Sequence, residues 1–428
     1  METTKNNKLY FGRPGSMYGL VSLIVMLFLT VYQVILSYSV LSADNENFSE
    51  LLIYFAAFII AEWVYYFIFA IVQNKHISLE IIGFALSSIS LFVTASVSPS
   101  KTKTQFLAIF AGLLVFIAMV LYMRSTTRTS ALRMPMAIMS ISILALTLLL
   151  ASYTNGAKNW IYIGSLSIQP SEFVKLAFIY VGAATLDKLQ STKSLTWYVL
   201  FSVGCVGLLG LMSDFGTALI YFATFILIAF LRSGDMRTIV LVCTAAVIGV
   251  IIILTMKSYI LNRFMSYRHI WEHMYDSGGY QQTRVLIYSA SGGLFGVGLG
   301  NGYLRDIFAA TEDLIFGLVC EELGMLTAFL IVITLIILAF ASAYNAKYAR
   351  SSFFTIAACA SAGMIIVQTA LNIFGVTDFL PLTGVTLPFV SRGGSSMICS
   401  WGLLAFMKAA DSRSYRDRLQ PRTEGKKK

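Results

Sequence analysis

Apolar runs of about 18 residues or more recur from one end of this chain to the other, each long enough to cross a hydrocarbon layer about 30 Å thick as a helix. A chain written this way does not fold as an ordinary soluble globule. Only 12% of its 428 residues are charged and 57% are hydrophobic, whereas soluble domains carry about 25% charged residues. The runs fall near residues 17–40, 51–74, 77–97, 104–123, 134–153, 172–187, 195–213, 215–231, 238–256, 314–343, 352–375 and 394–410. They predict an all-α polytopic membrane protein of about 12 transmembrane helices. The sixth run carries Glu172, Lys175 and Asp187, so its assignment as a span leans on its neighbours. Between helices 9 and 10 the connection 257–313 is a large extracellular loop, and loops of that length are more often functional than spacer.

A formal charge of +10 would suit a nucleic-acid binder, but the location of the charges argues otherwise. With the amino terminus inside, most of the 31 Lys and Arg residues fall on the inner segments, including the cluster from Lys408 to Lys428, and the acidic segment ADNENFSE falls outside. That is the positive-inside pattern, so both termini are read as cytoplasmic and no nucleic-acid partner is needed. The first run lacks an A-x-A-like cleavage site and reads as a retained span. The five cysteines are scattered through predicted spans without ligand spacing and read as small core residues.

Ionisable groups within spans are costly and therefore functional candidates. Here they are Glu62, Glu172, Lys175, Asp214, Asp313, Glu321 and Glu322. Glu172 and Lys175, three apart on one helical face, can neutralise each other, as a structural ion pair or as part of a site. Asp214, in the turn SDFGT, suits capping of the next helix. Glu62 suits helix packing. Asp313 lies where the long loop meets a span, a half-desolvated position that favours a general base. Glu321 is eight residues further along the same predicted helix, about 12 Å deeper. The segment HIWEH, from His269 to His273, matches a zinc-peptidase pattern, but the remaining histidine, His76, is predicted on the opposite side. The run GVGLGNG lacks the spacing and βαβ context of a nucleotide loop and reads as a close approach to a substrate or helix.

Five segments in order, GAKNWIYIGSLSIQPSEFVK, SDFGTAL, GYQQTRVLIYSASGGLFGVGLGNG, EDLIFGLVCEELG and GVTLPFVSRGGSS, span residues 156–396. Together they resemble the signature blocks of the FtsW/RodA/SpoVE (SEDS) family of peptidoglycan glycosyltransferases. The resemblance implies a polymerase of lipid II in the bacterial plasma membrane, with its active site facing outward. It maps the family's essential aspartate onto Asp313, and Glu172 and Lys175 onto the central cavity. Trp160, Asp214, Gln281 and Ser391 lie in the same blocks as expected substrate contacts. The chain departs from the family where TEDLIF stands for the usual HTDFIF, where Asn159 replaces a frequent Arg, and where Arg392 replaces a Tyr.

The implied reaction is an inverting displacement of polyprenyl pyrophosphate by a sugar hydroxyl, with Asp313 as the general base. Arg263, Arg268, Arg284, Arg392 and Lys175 form the cationic pool for the leaving group, with a divalent cation, Mg or Mn, as an addition. Membrane lipid surrounds the protein, and the implied protein partner is a class B penicillin-binding protein, a transpeptidase. A flippase or transporter of lipid-linked precursors is the alternative from another class. The organisation expected is amino-terminal helices over 1–133 with an extra helix pair, a catalytic membrane core over 134–410, and a basic cytoplasmic tail over 411–428.

Overall fold

The computed structural model describes residues 17–43, 47–72, 76–124, 132–153, 156–164, 166–187, 192–233, 240, 244, 267–275 and 279–411. In chain order the helices are α1 Met17–Ala43, α2 Phe48–Tyr66, α3 Ser78–Val97, α4 Pro99–Tyr122, α5 Arg133–Leu150, α6 Pro170–Asp187, α7 Thr192–Leu211, α8 Phe215–Ser233, α9 Tyr280–Ser291, α10 Ile315–Glu322, α11 Gly324–Ala346, α12 Ser352–Val376 and α13 Gly394–Ala409. One hairpin, β1 Ile161–Ile163 with β2 Leu166–Ile168, precedes α6. Seven of the described helices are long and apolar enough to cross a membrane, and the protein is an all-α, multi-pass membrane protein. Each predicted run except 238–256 coincides with described helix. That run lies outside the described residues apart from Val240 and Thr244.

Two expectations need correction. The run 314–343 is not one helix, because the chain breaks after Leu323 into α10 and α11. At the break Gly324 has φ +87°, and an added Cβ there would lie 2.3 Å from the carbonyl oxygen of Leu294. Only glycine fits that conformation and that contact. Hydropathy averaged over the run does not register such a break, although Glu321 and Glu322 directly precede it. The loop 257–313 is also more than a connection: it contains α9, a glycine turn and a short 3₁₀ turn at Leu304–Asp306. Glu321 therefore lies in the last turn of α10 and accepts hydrogen bonds from the Tyr303 and Leu304 amides at 2.7 and 2.9 Å. The glycine turn lies against the same helix end, where the Val297 and Gly298 amides donate to the Glu321 and Glu322 carbonyls.

Burial sorts the helices. α1 presents Leu20, Phe28, Val31 and Ile35 outward, the faces a bilayer covers. α6 and α13 are buried along most of their length. Close approach by small residues makes that possible: a Cβ at Gly112 of α4 would meet the Trp401 ring of α13 at 2.7 Å, and one at Gly83 of α3 would meet it at 3.1 Å. At one end of this packing Lys408 pairs with Glu80 at 2.8 Å and donates to the His76 carbonyl. Glu62 is engaged as its packing reading requires, with Gln33 of α1 donating to both carboxylate oxygens at 2.9 Å. The α1 and α2 pair leans on the rest through rings, with Phe55 against Phe92 at 4.8 Å and Phe58 against Phe84 at 6.3 Å.

Candidate active site

α6 opens on Pro170, whose fixed φ and missing N–H suit a first helical position. One turn in, Lys175 Nζ lies 2.7 Å from Glu172 Oε1. Both are almost fully enclosed, at 1% and 4% exposure. Lys175 also donates to Gln368 Oε1 of α12 at 3.4 Å. A buried charge pair of this kind holds only when its remaining hydrogen-bonding capacity is met.

Asp214 does two things at once. Its Oδ1 accepts the Thr217 amide at 3.2 Å, capping α8 as expected. Its Oδ2 accepts Asn159 Nδ2 at 2.9 Å and Gln169 Nε2 at 3.3 Å. Asn159 is thus a neutral donor to this carboxylate. Trp160 follows it, half-buried, before β1.

Asp313 sits in a turn just before α10, shaped by Ala309 at φ 61°, whose carbonyl accepts the amides of Asp313 and Leu314. The Asp313 carbonyl accepts Asn372 Nδ2 at 2.8 Å. Its carboxylate lies against the backbone of Gly384, where an added Cβ would be 3.3 Å from Oδ2. Gly384 has φ +68°, so the position favours glycine for conformation as well as space.

Residues 377–393, between α12 and α13, have no regular structure and draw many of their hydrogen bonds from neighbouring elements. Val385 O accepts Asn372 at 2.7 Å, and Thr386 O accepts Gln368 Nε2 at 3.2 Å. Thr386 Oγ1 lies 2.7 Å from Ser396 Oγ at the start of α13. Ser391 Oγ accepts the Leu387 amide at 2.7 Å and donates to the Glu312 carbonyl at 2.5 Å. Gln105 of α4 accepts the Gly393 amide at 3.1 Å. On its other side the segment touches α8, because a Cβ at Gly216 would meet Val385 at 2.7 Å and the Thr383 carbonyl at 2.9 Å.

Arg392 pairs with Glu312 and donates from Nε to Thr311 Oγ1 at 3.0 Å, while its amide donates to Thr311 O at 2.7 Å. Burial pushes its guanidinium pKa below the ordinary value. Glu312 in TEDLIF and Arg392 before GGSS, distant in the chain, are thereby partners. Reversing either charge alone should destabilise the protein, and Glu312→Arg combined with Arg392→Glu should recover most of that loss. The expected coupling is about 0.5–3 kcal/mol, read by thermal unfolding in detergent. A double reversal no more stable than the sum of its parts would show that the pair is not a specific contact.

The remaining candidates lie around the 267–291 stretch. Arg268, at φ 62°, holds its guanidinium 5.5 Å from the Tyr267 ring centroid, and its amide donates to Asp378 Oδ1 at 3.4 Å. Burial raises the Asp378 pKa, opposed by that N–H and by the charges of Arg268 and His269. On α9, Gln281 donates to the Phe308 carbonyl at 3.0 Å and Arg284 stacks on Tyr280 at 5.1 Å. Arg263 lies outside the described residues. His269 of HIWEH pairs with Glu272 at 3.2 Å, both exposed.

The structure thus links Lys175 to Thr386 through Gln368, sets the Asp313 carboxylate near Gly384, and bonds Ser391 and Arg392 to Glu312 and Thr311 beside Asp313. Sequence reasoning missed three residues that do the gathering: Glu312, Gln368 and Asn372. The two amides carried a signal, being four apart in a helix that is otherwise mostly apolar, where buried polar groups need partners.

A family model for FtsW/RodA/SpoVE, described as cell cycle protein, matches residues 77–415. The chain is similar to the probable peptidoglycan glycosyltransferase FtsW of Buchnera aphidicola subsp. Acyrthosiphon pisum, at 32% identity over 64% of this chain and 71% of that protein. It is also similar to the probable peptidoglycan glycosyltransferase FtsW of Bacillus subtilis, at 30% identity over 76% of this chain and 86% of that protein. A solved chain from a peptidoglycan synthase complex shares the fold, with a TM-score of 0.65 at 23% identity, covering 79% of this chain and 98% of its own length. With its site residues falling inside a match that runs from residue 77 to 415, the chain belongs to the FtsW/RodA/SpoVE family.

Proposed function

We propose that this glycosyltransferase polymerises lipid II into peptidoglycan glycan strands at the outer face of the bacterial plasma membrane, with Asp313 as general base. The observation that carries the reading is the placement of the Asp313 carboxylate against Gly384, with its own backbone held by Asn372. A sugar hydroxyl is a weak nucleophile at neutral pH, and a positioned carboxylate that takes its proton lowers the barrier. The 4-hydroxyl oxygen of the acceptor attacks the anomeric carbon of the donor, its proton passes to Asp313, and the bond to polyprenyl pyrophosphate breaks. Direct displacement turns an α-linked donor into a β-linked product.

Negative charge grows on the departing pyrophosphate and calls for cations already in place. Arg268, which is exposed, and Arg284 each lie over a tyrosine ring; Lys175 and Arg392 each already serve an ion pair. Among the described residues no group of three or more His, Cys, Asp or Glu is gathered to hold a metal. Where a Mg or Mn ion takes part, it would add positive charge at the departing pyrophosphate. The polyprenyl tails lie in the apolar grooves between helices.

We assign α3 and α4 to the catalytic body, since Ser90, Ser96 and Gln105 hydrogen-bond to Ser391, Glu322 and Gly393. That leaves α1 and α2 as the extra pair ahead of the family match. A class B penicillin-binding protein is the proposed partner, supported by the likeness to a chain from a peptidoglycan synthase complex. The test is purified protein in liposomes with labelled lipid II. Glycan polymer is the expected product, and transbilayer movement of lipid II with no polymer would assign the protein to the flippases instead.

A further inference from the structure

We propose that Gln368 and Asn372 are positioning residues that set the distance between Asp313 and the Glu172–Lys175 ion pair. The proposal rests on the reading of Asp313 as the base. Both amides lie on one face of α12, four residues apart, and both are enclosed, at 3% and 2% exposure. A buried primary amide is costly unless hydrogen-bonded, and both amide nitrogens are fully engaged, while the Asn372 oxygen has no hydrogen-bond partner among the described residues.

Those partners are all parts of the site. The Asn372 amide nitrogen has two hydrogens, and they go to the carbonyls of Asp313 at 2.8 Å and Val385 at 2.7 Å. Asn372 therefore clamps the backbone of Asp313 to the residue next to Gly384, the glycine against which the Asp313 carboxylate lies. Gln368 makes the matching contact one turn away. Its oxygen accepts Lys175 Nζ at 3.4 Å, and its nitrogen reaches Thr386 O at 3.2 Å and Thr386 Oγ1 at 3.3 Å. The two side chains grip adjacent residues, Val385 and Thr386, and each has its second grip on one charged half of the site. A helix fixes residues four apart at about 6 Å along its axis. The α12 face thus acts as a ruler, holding the base on one side and the ion pair on the other at a constant spacing.

Simple interhelical hydrogen bonding is the competing account, and it makes a different forecast. Such bonds contribute stability wherever they occur. A ruler contributes turnover, because displacing a catalytic group by about 1 Å costs on the order of 100-fold in rate. The experiment measures kcat and KM for lipid II in detergent per folded enzyme, with thermal unfolding in parallel, for Asn372→Leu, Gln368→Leu, Gln368→Glu and their Leu double variant, beside Asp313→Asn.

Asn372→Leu keeps the shape and removes both donors; its kcat should fall about 100-fold with KM within about threefold of wild type. Gln368→Glu keeps an acceptor for Lys175 but loses the donor to Thr386. It should stay folded and lie between wild type and Gln368→Leu. The double variant should lose less than the product of the single losses, since both residues hold one segment. Wild-type kcat per folded molecule in the Leu variants, with only a lowered unfolding temperature, would overturn the ruler and leave ordinary helix bonding. Should Leu variants not fold, wild-type kcat in Gln368→Glu would overturn it equally. Undiminished polymerisation by Asp313→Asn is a separate result, which removes the base assignment itself.

Discussion

Asp313→Asn should lower glycan polymerisation by about 100- to 10,000-fold, the range that a positioned general base contributes. The substitution is isosteric and replaces an oxygen that takes a proton with an amide that does not. It should leave the fold in place, because the turn is held through main-chain atoms: the Asp313 amide on Ala309 O and the Asp313 carbonyl on Asn372. Unfolding temperature should therefore stay close to wild type while product disappears, which separates a lost base from a lost structure. Asp313→Glu offers a second reading of the same geometry. It retains the carboxylate but pushes it one methylene toward Gly384, already within 3.3 Å of where a Cβ would stand, so only partial activity should return. Polymerisation by the Asn variant within about threefold of wild type would sink the assignment.

Lys175→Met should have the largest effect on stability. It leaves Glu172 enclosed at 4% exposure without its cation, and removing one partner of a buried ion pair costs about 3–5 kcal/mol. Adding Glu172→Leu should recover most of that, because a well-packed apolar pair avoids the desolvation that the charges suffer. The double variant should nonetheless remain poor at polymerisation, since Gln368 then lacks the ammonium it faces. The informative measurement is unfolding temperature and activity on the same three preparations. If Lys175→Met unfolds with the wild type, Glu172 has found other satisfaction and the pair carries little structural weight. If the double variant polymerises normally, the pair serves folding alone.

Much of the site is legible in the sequence alone, and the reasons differ by residue. Glu172 and Lys175 were readable because a helix places residues three apart side by side, and the structure sets them 2.7 Å apart. Asp214 was readable as a cap because its partner, Thr217, is local. Glu312 was not legible, because its role depends on a distant partner. That partner, Arg392, lies 80 positions away, and nothing local links the two. The break at Leu323 was hidden from hydropathy averaged over the run, because the Glu321–Glu322 pair just before it sits between two strongly apolar stretches.

What the sequence by itself determined was the kind of molecule and its parts list: the membrane class, most helix positions, the order of the signature blocks and the identity of the charged residues. Those properties are encoded locally, in hydropathy over about 20 residues and in spacings of three or four. The tertiary structure alone decided which polar groups meet. Asn372 reaches a carbonyl 59 positions away and Lys175 an amide 193 positions away, while residues 377–393, lacking regular structure, take many of their hydrogen bonds from α4, α12, α13 and the Asp313 turn. Buried backbone and amide groups must be paired somewhere, but no local rule names the partner. Packing of the helices brings the available donors and acceptors within reach, and so sets the site around Asp313.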